Sequence, residues 1–425
     1  MQDERKLVMN NVIYSAVNKR VENVIIVNDF GYVDGGASSV AIRTAVELAD
    51  KGLKVTFFCG EAPVFDELKN SSVNVVCTDQ KSLMNNPSKI NAALTGLWNK
   101  KAKREFEKLL SRYSVENTAV HFHTWTKCLS SSVFEAAEEK GFLSFLTLHD
   151  YFSACPNGAF YDYRKNVNCG EKPMSAKCVL RNCDQRSYLQ KVYRILRQAV
   201  QNRYVKNSKN LKLIYVSKFS RKILEKDYFS DRTSYLIQNP YSRRSIAKSA
   251  KQKSKFAFIG RLDPEKNPYM FCKACTELNV PGIVIGAGEQ SSFLKEKFPN
   301  IEFTGWLKEK EISDHIPEIK ALVFPSLWYE TAGLTVLQFL EMGIPCVVSS
   351  NCAATDYINS GKNGYVFNVN DIEDLKSKML LSEKLVFSPS IPAEKKDEYA
   401  DQLIAAYEKE LQKRVNLKTT IREKA

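Results

Sequence analysis

Short runs of uniformly apolar residues recur along this chain, and each is followed by glycine or polar residues and then by a helix-like stretch. Residues 24–27 (VIIV) and 256–259 (FAFI) are two such runs. Strands that are apolar on both faces are typical of parallel sheets, which helices cover on both sides. Because parallel neighbours need a crossover, the pattern predicts βαβ units and an α/β fold.

The apolar runs form two series with a different kind of segment between them. The predicted strands are residues 24–27, 54–59, 119–123, 145–150 and 213–216, and then 256–259, 282–285, 301–303, 321–324 and 346–348. Residues 241–255 are rich in Ser, Lys and Arg, which predicts a linker. We therefore expect two doubly wound Rossmann-like domains, 1–240 and 256–393, that face a central cleft, with a helix in 394–425 crossing back onto the first.

The chain is basic, but its charge is local. The 425 residues carry a net charge of +14, while residues 151–255 alone hold 14 Lys and 10 Arg against 6 acidic residues. That segment predicts an anionic partner, such as a membrane surface, and no recognised motif indicates nucleic acid. No run is long and apolar enough to span a bilayer, and the start lacks a secretory signal, so we expect a cytoplasmic protein.

The second series carries the strongest chemical motifs. Gly260 ends a predicted strand, and Arg261 and Lys266 follow it five residues apart, as two cations that could neutralise a diphosphate or merely stand on a surface loop. Gly288 belongs to a G-x-G turn, and Trp306 follows another strand, where core packing is the alternative role.

A loop with an acidic residue precedes a predicted helix later in this series. Glu330 is followed by Ala332, Gly333 and Leu334, where the helix is expected to begin. Its free N–H groups and its dipole would attract an anion. Gln338 lies eight residues after Glu330, about two helical turns, so both can line one ligand. Alternatively, Glu330 caps the helix.

These motifs, in this order, resemble the family 4 (group 1) retaining glycosyltransferases of the GT-B fold, over nearly the whole chain. The residues that carry the resemblance are Gly260, Arg261, Glu265, Lys266 and Glu330 in the second series, and Gly35, Gly36, His121, His123, His149, Asp150, Ser217 and Asn239 in the first. The resemblance implies transfer of a hexose from a nucleoside diphosphate sugar to a glycan or lipid-linked acceptor. It also implies bacterial-type surface polysaccharide synthesis, peripherally at the inner face of the cell membrane.

The resemblance also implies a role for each matching residue. Arg261 and Lys266 would hold the diphosphate, Glu330 the donor sugar, and the helix start at Gly333 and Leu334 the phosphates. His123 would lie beside the reacting sugar. On the acceptor side it implies Gly35, Gly36, His149 and Asp150, with a structural role for His121. Neither a protein nucleophile nor a catalytic metal is implied.

One departure concerns the nucleotide. The family has a second glutamate, which binds the ribose hydroxyls, where this chain has Gln338. An amide loses the charge-assisted part of that bond, so weaker or altered nucleotide binding is expected. A non-catalytic sugar-nucleotide-binding protein and a sugar-nucleotide epimerase are the alternatives.

Two further features lie in the basic segment. Cys155, Cys169, Cys178 and Cys183 are spaced for a structural zinc site, for buried free thiols or for redox chemistry. Residues 186–206 predict a helix with an apolar face flanked by cations. Either the apolar face packs in the core, or the helix docks on anionic lipid. The face comprises Leu189, Val192, Leu196, Ala199 and Val200, and the cations are Lys191, Arg194, Arg197 and Arg203.

Overall fold

The computed structural model describes residues 20–208, 210–241, 253–387 and 398–424. Two parallel sheets organise these residues. The first has seven strands in the order β3-β2-β1-β4-β5-β8-β9. Its strands are β1 (Asn23–Phe30), β2 (Lys54–Glu61), β3 (Asn74–Cys77), β4 (Thr118–Phe122), β5 (Leu143–Leu148), β8 (Leu211–Tyr215) and β9 (Ser234–Leu236). Strands β6 (Tyr161–Asp162) and β7 (Val167–Asn168) pair with each other in a separate antiparallel hairpin.

Helices cover both faces of this first sheet and bury an apolar core on each. They are α1 (Gly36–Asp50), α2 (Asp66–Lys69), α3 (Lys89–Leu97), α4 (Lys100–Leu110), α5 (Ser132–Glu139), α6 (Ala176–Leu180), α7 (Tyr188–Tyr204) and α8 (Lys218–Asp227). The strand order reverses at β1, so the carboxyl ends of β1 and β4 border a crevice where ligands bind in such sheets.

The second sheet has six parallel strands in the order β12-β11-β10-β13-β14-β15. They are β10 (Lys255–Ile259), β11 (Gly282–Ile285), β12 (Glu302–Gly305), β13 (Ile319–Phe324), β14 (Cys346–Ser349) and β15 (Gly364–Phe367). The helices are α9 (Pro268–Glu277), α10 (Ser291–Lys297), α11 (Glu309–His315), α12 (Leu334–Glu341) and α13 (Ile372–Ser382). Again both faces are covered, as the apolar character of every strand requires.

The last helix, α14 (Glu398–Lys424), follows the second sheet in the chain but packs on the first domain. Leu403 and Tyr407 are buried in the first domain's core. The Tyr407 hydroxyl lies 2.6 Å from His121 Nδ1, and the Tyr399 hydroxyl lies 2.7 Å from Thr44 Oγ1. This helix therefore ties the end of the chain to the centre of the first sheet.

Helix α1 begins at Gly36, the second residue of the glycine pair. Of the expected final helix, residues 394–397 lie outside the described residues. Of the predicted linker 241–255, residues 242–252 lie outside the described residues. None of the helices in the described ranges is long and apolar enough to cross a bilayer.

The orientation of α7 excludes one of its two alternatives, that the apolar face packs in the core. Its buried residues are Lys191, Gln198 and Gln201, whereas Leu189 and Leu196 are exposed. The cations that were expected to flank a buried apolar face therefore lie partly on the buried side.

His121 gives a testable pH dependence. Both ring nitrogens are bonded, Nδ1 to Tyr407 and Nε2 to Thr147 Oγ1, and burial lowers its pKa to about 3. Its neutral form therefore stabilises the fold fully above the unfolded pKa of about 6.5, and this contribution is lost as the pH falls toward 3. Between these two pKa values, His121 lowers the unfolding free energy by about 1.4 kcal/mol for each pH unit of acidification.

We expect the unfolding free energy to decrease between pH 7 and pH 5, and His121→Asn to reduce this decrease by about 2 kcal/mol. Urea titrations followed by circular dichroism at several pH values measure it. Thr147→Val is the control, because it removes a bond to the ring but keeps the titrating group. Equal pH dependences in wild type and His121→Asn would contradict this assignment.

Candidate active site

A cleft of about 750 Å³ lies between the two domains. Helix α1 contributes Gly36 and Arg43 from the first domain. The second domain contributes Gly260 after β10, Trp306 after β12 and Gln338 of α12. Residues predicted separately from the two series therefore line one cavity, at the carboxyl ends of the strands.

Glycine at two turns lets the loops after β10 and β11 approach closely. A Cβ at Gly286 would lie 1.9 Å from the Gly260 carbonyl oxygen, and Gly286 has a φ of +148°. A Cβ at Gly288 would lie 2.6 Å from the Leu262 backbone. Gly288 is thus explained by loop packing, and it is not among the residues that line the cleft.

Lys266 and Glu330 form an ion pair between the loop after Gly260 and the loop before α12, although neither residue lines the cleft itself. Lys266 Nζ contacts Glu330 Oε1, and these side chains are only 18% and 12% exposed. The Ser326 hydroxyl donates to the same oxygen at 3.3 Å, and the ammonium lies 5.1 Å from the centre of the Trp328 ring. Burial opposes ionisation of Glu330, but the charge of Lys266 and the hydrogen bonds to the carboxylate together hold the pKa of that carboxyl below its usual value. Glu330 is therefore ionised, and the bonds to Lys266 and Ser326 use only Oε1 of its carboxylate.

Arg261 has acidic partners in the same loop. Its guanidinium pairs with Asp263 at 2.5 Å and with Glu265 at 3.1 Å, although its side chain is 55% exposed. Glu265 is buried, and its second oxygen has no partner within the described residues. An anion that reaches Arg261 must compete with these carboxylates.

The start of α12 faces the cleft. Its N-cap, Gly333, has a φ of +66°, and a Cβ there would lie 2.9 Å from Ala354 Cβ. Leu334 and Thr335 line the cleft, and the first N–H groups of a helix have no intrahelical acceptor. Ala332 is half-buried in the loop before it. This end of the helix can therefore accept an anion.

Gly35 and Gly36 stand across the cleft at the start of α1. Within the described residues, no atom beyond the chain neighbours would lie within 4 Å of a Cβ at either position. The protein itself does not require glycine there, so the prediction that these glycines admit a ligand remains a prediction.

The first domain contributes a histidine pair. His123 Nδ1 lies 2.9 Å from His149 Nε2, and His123 Nε2 is buried without a partner in the described structure. Burial lowers the pKa of His149 to about 3 and that of His123 well below its usual value, so both rings are neutral. The Thr331 hydroxyl donates to the His149 carbonyl oxygen at 2.7 Å, which places the pair next to the Glu330 loop.

Asp150 and Asp29 complete the first domain's side. Burial raises the pKa of Asp150 to about 6, and its carboxylate accepts the Phe152 N–H. Asp29 is buried and accepts three backbone N–H groups, of Lys127, Cys128 and Leu129, at 2.8–2.9 Å. It anchors the loop after His123. The sequence analysis missed Asp29, although a polar residue near the end of β1 is the same signal that identified His123.

The structure does not form the predicted zinc site. Within the described residues, no group of three or more His, Cys, Asp or Glu side chains could hold a metal. The ammonium of the fully buried Lys191 instead lies 3.2 Å from Cys183 Sγ and 3.7 Å from Cys178 Sγ, where it would repel a dication. Arg181 contacts Cys169, and Cys155 bonds to Asn157. The geometry favours the alternative of free thiols.

Comparisons with known proteins find a family match in the second domain. Residues 242–386 match the family "Glycosyl transferases group 1". Over 132 residues the chain is 29% identical to the UDP-Gal:alpha-D-GlcNAc-diphosphoundecaprenol alpha-1,3-galactosyltransferase of Escherichia coli, covering 28% of this chain and 33% of that protein. Over 117 residues it is 26% identical to the GDP-mannose-dependent alpha-mannosyltransferase of Corynebacterium glutamicum, covering 28% of each chain. These matches span about a third of the relatives' length or less.

Solved structures match over the whole architecture. Sucrose-phosphate synthase of Thermosynechococcus elongatus superposes with a TM-score of 0.62 at 12% identity, covering 95% of this chain and all of that one. The lipopolysaccharide biosynthesis glycosyltransferase WaaG gives a TM-score of 0.55 at 14% identity, covering 93% and 99%. HepE of Anabaena, with UDP and glucose, gives 0.56 at 12% identity, covering 95% and 99%. The chain has the GT-B fold of two Rossmann-like domains, as predicted.

The approach of the two glycine loops can be tested directly. We expect Gly286→Ala to lower the unfolding free energy by about 2–5 kcal/mol, because a Cβ there both overlaps the Gly260 carbonyl and strains the backbone. Urea titration measures the change. Gly170→Ala is the matched control, since a Cβ at that position meets nothing within 4 Å. Equal stabilities of the two variants would contradict the close approach.

Proposed function

We propose that this protein is a retaining, metal-independent glycosyltransferase that moves a hexose from a nucleoside diphosphate sugar to a glycan or lipid-linked acceptor. The observation that carries the proposal is the Lys266–Glu330 ion pair, which joins the loop after Gly260 to the loop before Leu334, two residues that line the interdomain cleft. Both residues lie within the segment that matches the group 1 glycosyl transferases. Relatives named as galactosyl- and mannosyltransferases support sugar transfer.

The donor's diphosphate would lie between the two cations and the helix. Lys266 supplies a charge held in place by Glu330, and the N–H groups at Leu334 and Thr335 supply oriented dipoles. Arg261 would exchange Asp263 for a phosphate oxygen, since its side chain is exposed enough to turn. Fixed donors of this kind stabilise the negative charge that develops on a leaving diphosphate.

The donor sugar would lie against Glu330 and His123. Glu330 Oε1 is used by Lys266 and Ser326, so Oε2 is the oxygen that would accept from a sugar hydroxyl. His123 carries a buried nitrogen without a partner, and its ring is neutral. A neutral imidazole can hydrogen-bond to the sugar without repelling the positive charge that develops at the anomeric carbon.

The transfer itself would need no protein nucleophile. The acceptor oxygen bonds to the anomeric carbon as the bond from that carbon to the phosphate oxygen breaks, on the same face. The acceptor's proton passes to the departing phosphate oxygen. Arg261, Lys266 and the α12 start act electrostatically throughout.

The acceptor would enter from the first domain, near His149, Asp150 and the open space at Gly35 and Gly36. A lipid-linked acceptor would place the protein at the inner face of a cell membrane, in surface polysaccharide synthesis. Gln338 lines the cleft, and its amide would bind the ribose hydroxyls less strongly than a carboxylate would. This residue alone favours the second candidate, a non-catalytic sugar-nucleotide-binding protein.

Substitution of the ion pair tests the proposal. With radiolabelled sugar nucleotides, we expect Glu330→Gln and Lys266→Met each to lower transfer or donor hydrolysis about 100–1,000-fold, as loss of a charged stabilising group does. Lys320→Met is the matched control, because Lys320 pairs with Glu383 away from the cleft. Nucleotide binding without turnover of any donor would support the binding protein instead.

Gln338→Glu tests the ribose contact separately. Restoring a carboxylate should tighten binding of a nucleoside diphosphate by about tenfold, which corresponds to about 1–2 kcal/mol for a charge-assisted bond. Isothermal titration calorimetry with UDP and GDP measures the change. An unchanged affinity for both would remove Gln338 from the nucleotide site.

A further inference from the structure

Helix α7 has the opposite orientation to an ordinary surface helix, with its polar face toward the protein and its apolar face toward solvent. Lys191, Gln198 and Gln201 face the protein and are at most 3% exposed. Leu189, Val192 and Leu196 are 81%, 38% and 55% exposed. A polar face toward the core and an apolar stripe toward solvent is the reverse of the usual arrangement, and it is typical of an interaction surface.

The inward polar face is built into the acceptor side of the site. Arg197 donates to the Thr126 carbonyl oxygen at 2.9 Å and lies over the Phe152 ring. Gln201 donates to the Phe152 carbonyl oxygen at 2.7 Å, and Gln198 donates to that of Ser153 at 3.2 Å. These carbonyls belong to the loops that follow His123 and Asp150. The orientation of α7 is therefore fixed by its contacts and cannot rotate to bury the stripe.

Neighbouring elements extend the exposed apolar stripe. Helix α3 packs against α7 through the Tyr193 hydroxyl, which donates to the Ala93 carbonyl oxygen. Of the seventeen large apolar side chains exposed in the described residues, eight belong to α3, α6, α7 and the loop residue Met84. They are Met84, Ile90, Leu94, Leu180, Tyr188, Leu189, Val192 and Leu196, which we call the outer patch. Such a concentration indicates an interaction surface.

The three helices that form most of the outer patch carry only cations as charged residues. Helices α3, α6 and α7 contain no Asp or Glu, and exposed cations stand beside the apolar residues, among them Lys89, Lys177, Arg186 and Arg203. Two copies that met through this face would bring these cations together. An apolar stripe with a cationic rim matches the interface of an anionic bilayer, where the apolar side chains enter the acyl boundary and the cations meet the headgroups.

We propose that the outer patch is a docking surface for an anionic lipid bilayer. One consequence rests on the proposed function. Because α7 also holds the loops after His123 and Asp150, docking would set the acceptor side of the cleft at a defined distance from the membrane. The surface differs from the basic segment 151–255 as a whole, because it includes α3 and depends on apolar side chains.

Co-sedimentation of the full chain with vesicles tests the proposal. Binding is expected to vesicles of equimolar phosphatidylglycerol and phosphatidylcholine, and little to phosphatidylcholine alone. Leu189→Gln/Leu196→Gln should weaken that binding at least tenfold. Leu380→Gln/Leu381→Gln is the control, because these leucines are also exposed, at 45% and 38%, but lie on α13 of the second domain. Arg186→Gln/Arg203→Gln should weaken binding and lower its salt dependence.

Three results would overturn the proposal: no binding to anionic vesicles, equal losses in the outer-patch and control variants, or a wild-type dimer that Leu189→Gln/Leu196→Gln dissociates. Donor hydrolysis separates this inference from the proposed function. The outer-patch variant should retain wild-type hydrolysis, since it leaves the cleft intact. Vesicle binding by a chain that turns over no donor would retain the docking surface and reject the enzyme.

Discussion

The Lys266–Glu330 ion pair joins the loops on which the second domain's side of the cleft depends. Lys266 ends the turn after β10, and Glu330 lies in the loop after β13. Backbone bonds reinforce the pair, from Leu327 N–H to the Glu265 carbonyl and from Ala353 N–H to the Glu330 carbonyl. Because both charges are largely removed from water, removing one partner would leave a nearly buried, uncompensated charge, which costs about 3–5 kcal/mol. The ion pair therefore positions the Lys266 ammonium and the Glu330 carboxylate, and it also makes their separation unfavourable in free energy.

The Glu330 loop is also where the two domains meet. Ser217 donates to the Thr331 carbonyl oxygen, Thr331 donates to that of His149, and Asn168 donates to that of Leu327. All three bonds fall within a few residues of Glu330. A movement of the Glu330 loop would therefore displace the bond between Thr331 and His149, and a movement of His149 would displace the Glu330 loop. The geometry couples the two halves of the site through short, direct contacts.

The sequence was sufficient for the α/β class and the two sheets, and it singled out Gly36, Gly260, Trp306 and Gln338, which line one cleft. Buried parallel strands appear in the sequence as short apolar runs, and residues such as Gly260 and His123 mark where these runs end. The role of Gly288 was not predictable, because its reason is the Leu262 backbone, which comes from a different strand's loop. The position of Asp29 near the end of β1 was visible in the sequence, but its role was not, because its three acceptor bonds reach residues about a hundred positions away. Periodicity shows local geometry, and these residues depend on nonlocal contacts.

Helix α7 and the cysteines show a different limit. Periodicity correctly places Leu189, Val192 and Leu196 on one face, but it does not say which face meets the protein. That is decided by partners elsewhere: the carbonyls of Thr126, Phe152 and Ser153 reward a polar face, and the thiols of Cys178 and Cys183 surround Lys191. Cations counted in the sequence as available to an outside anion are therefore partly used inside. The net charge of a segment measures neither its surface potential nor its partner, and both follow only once each cation's partner is known.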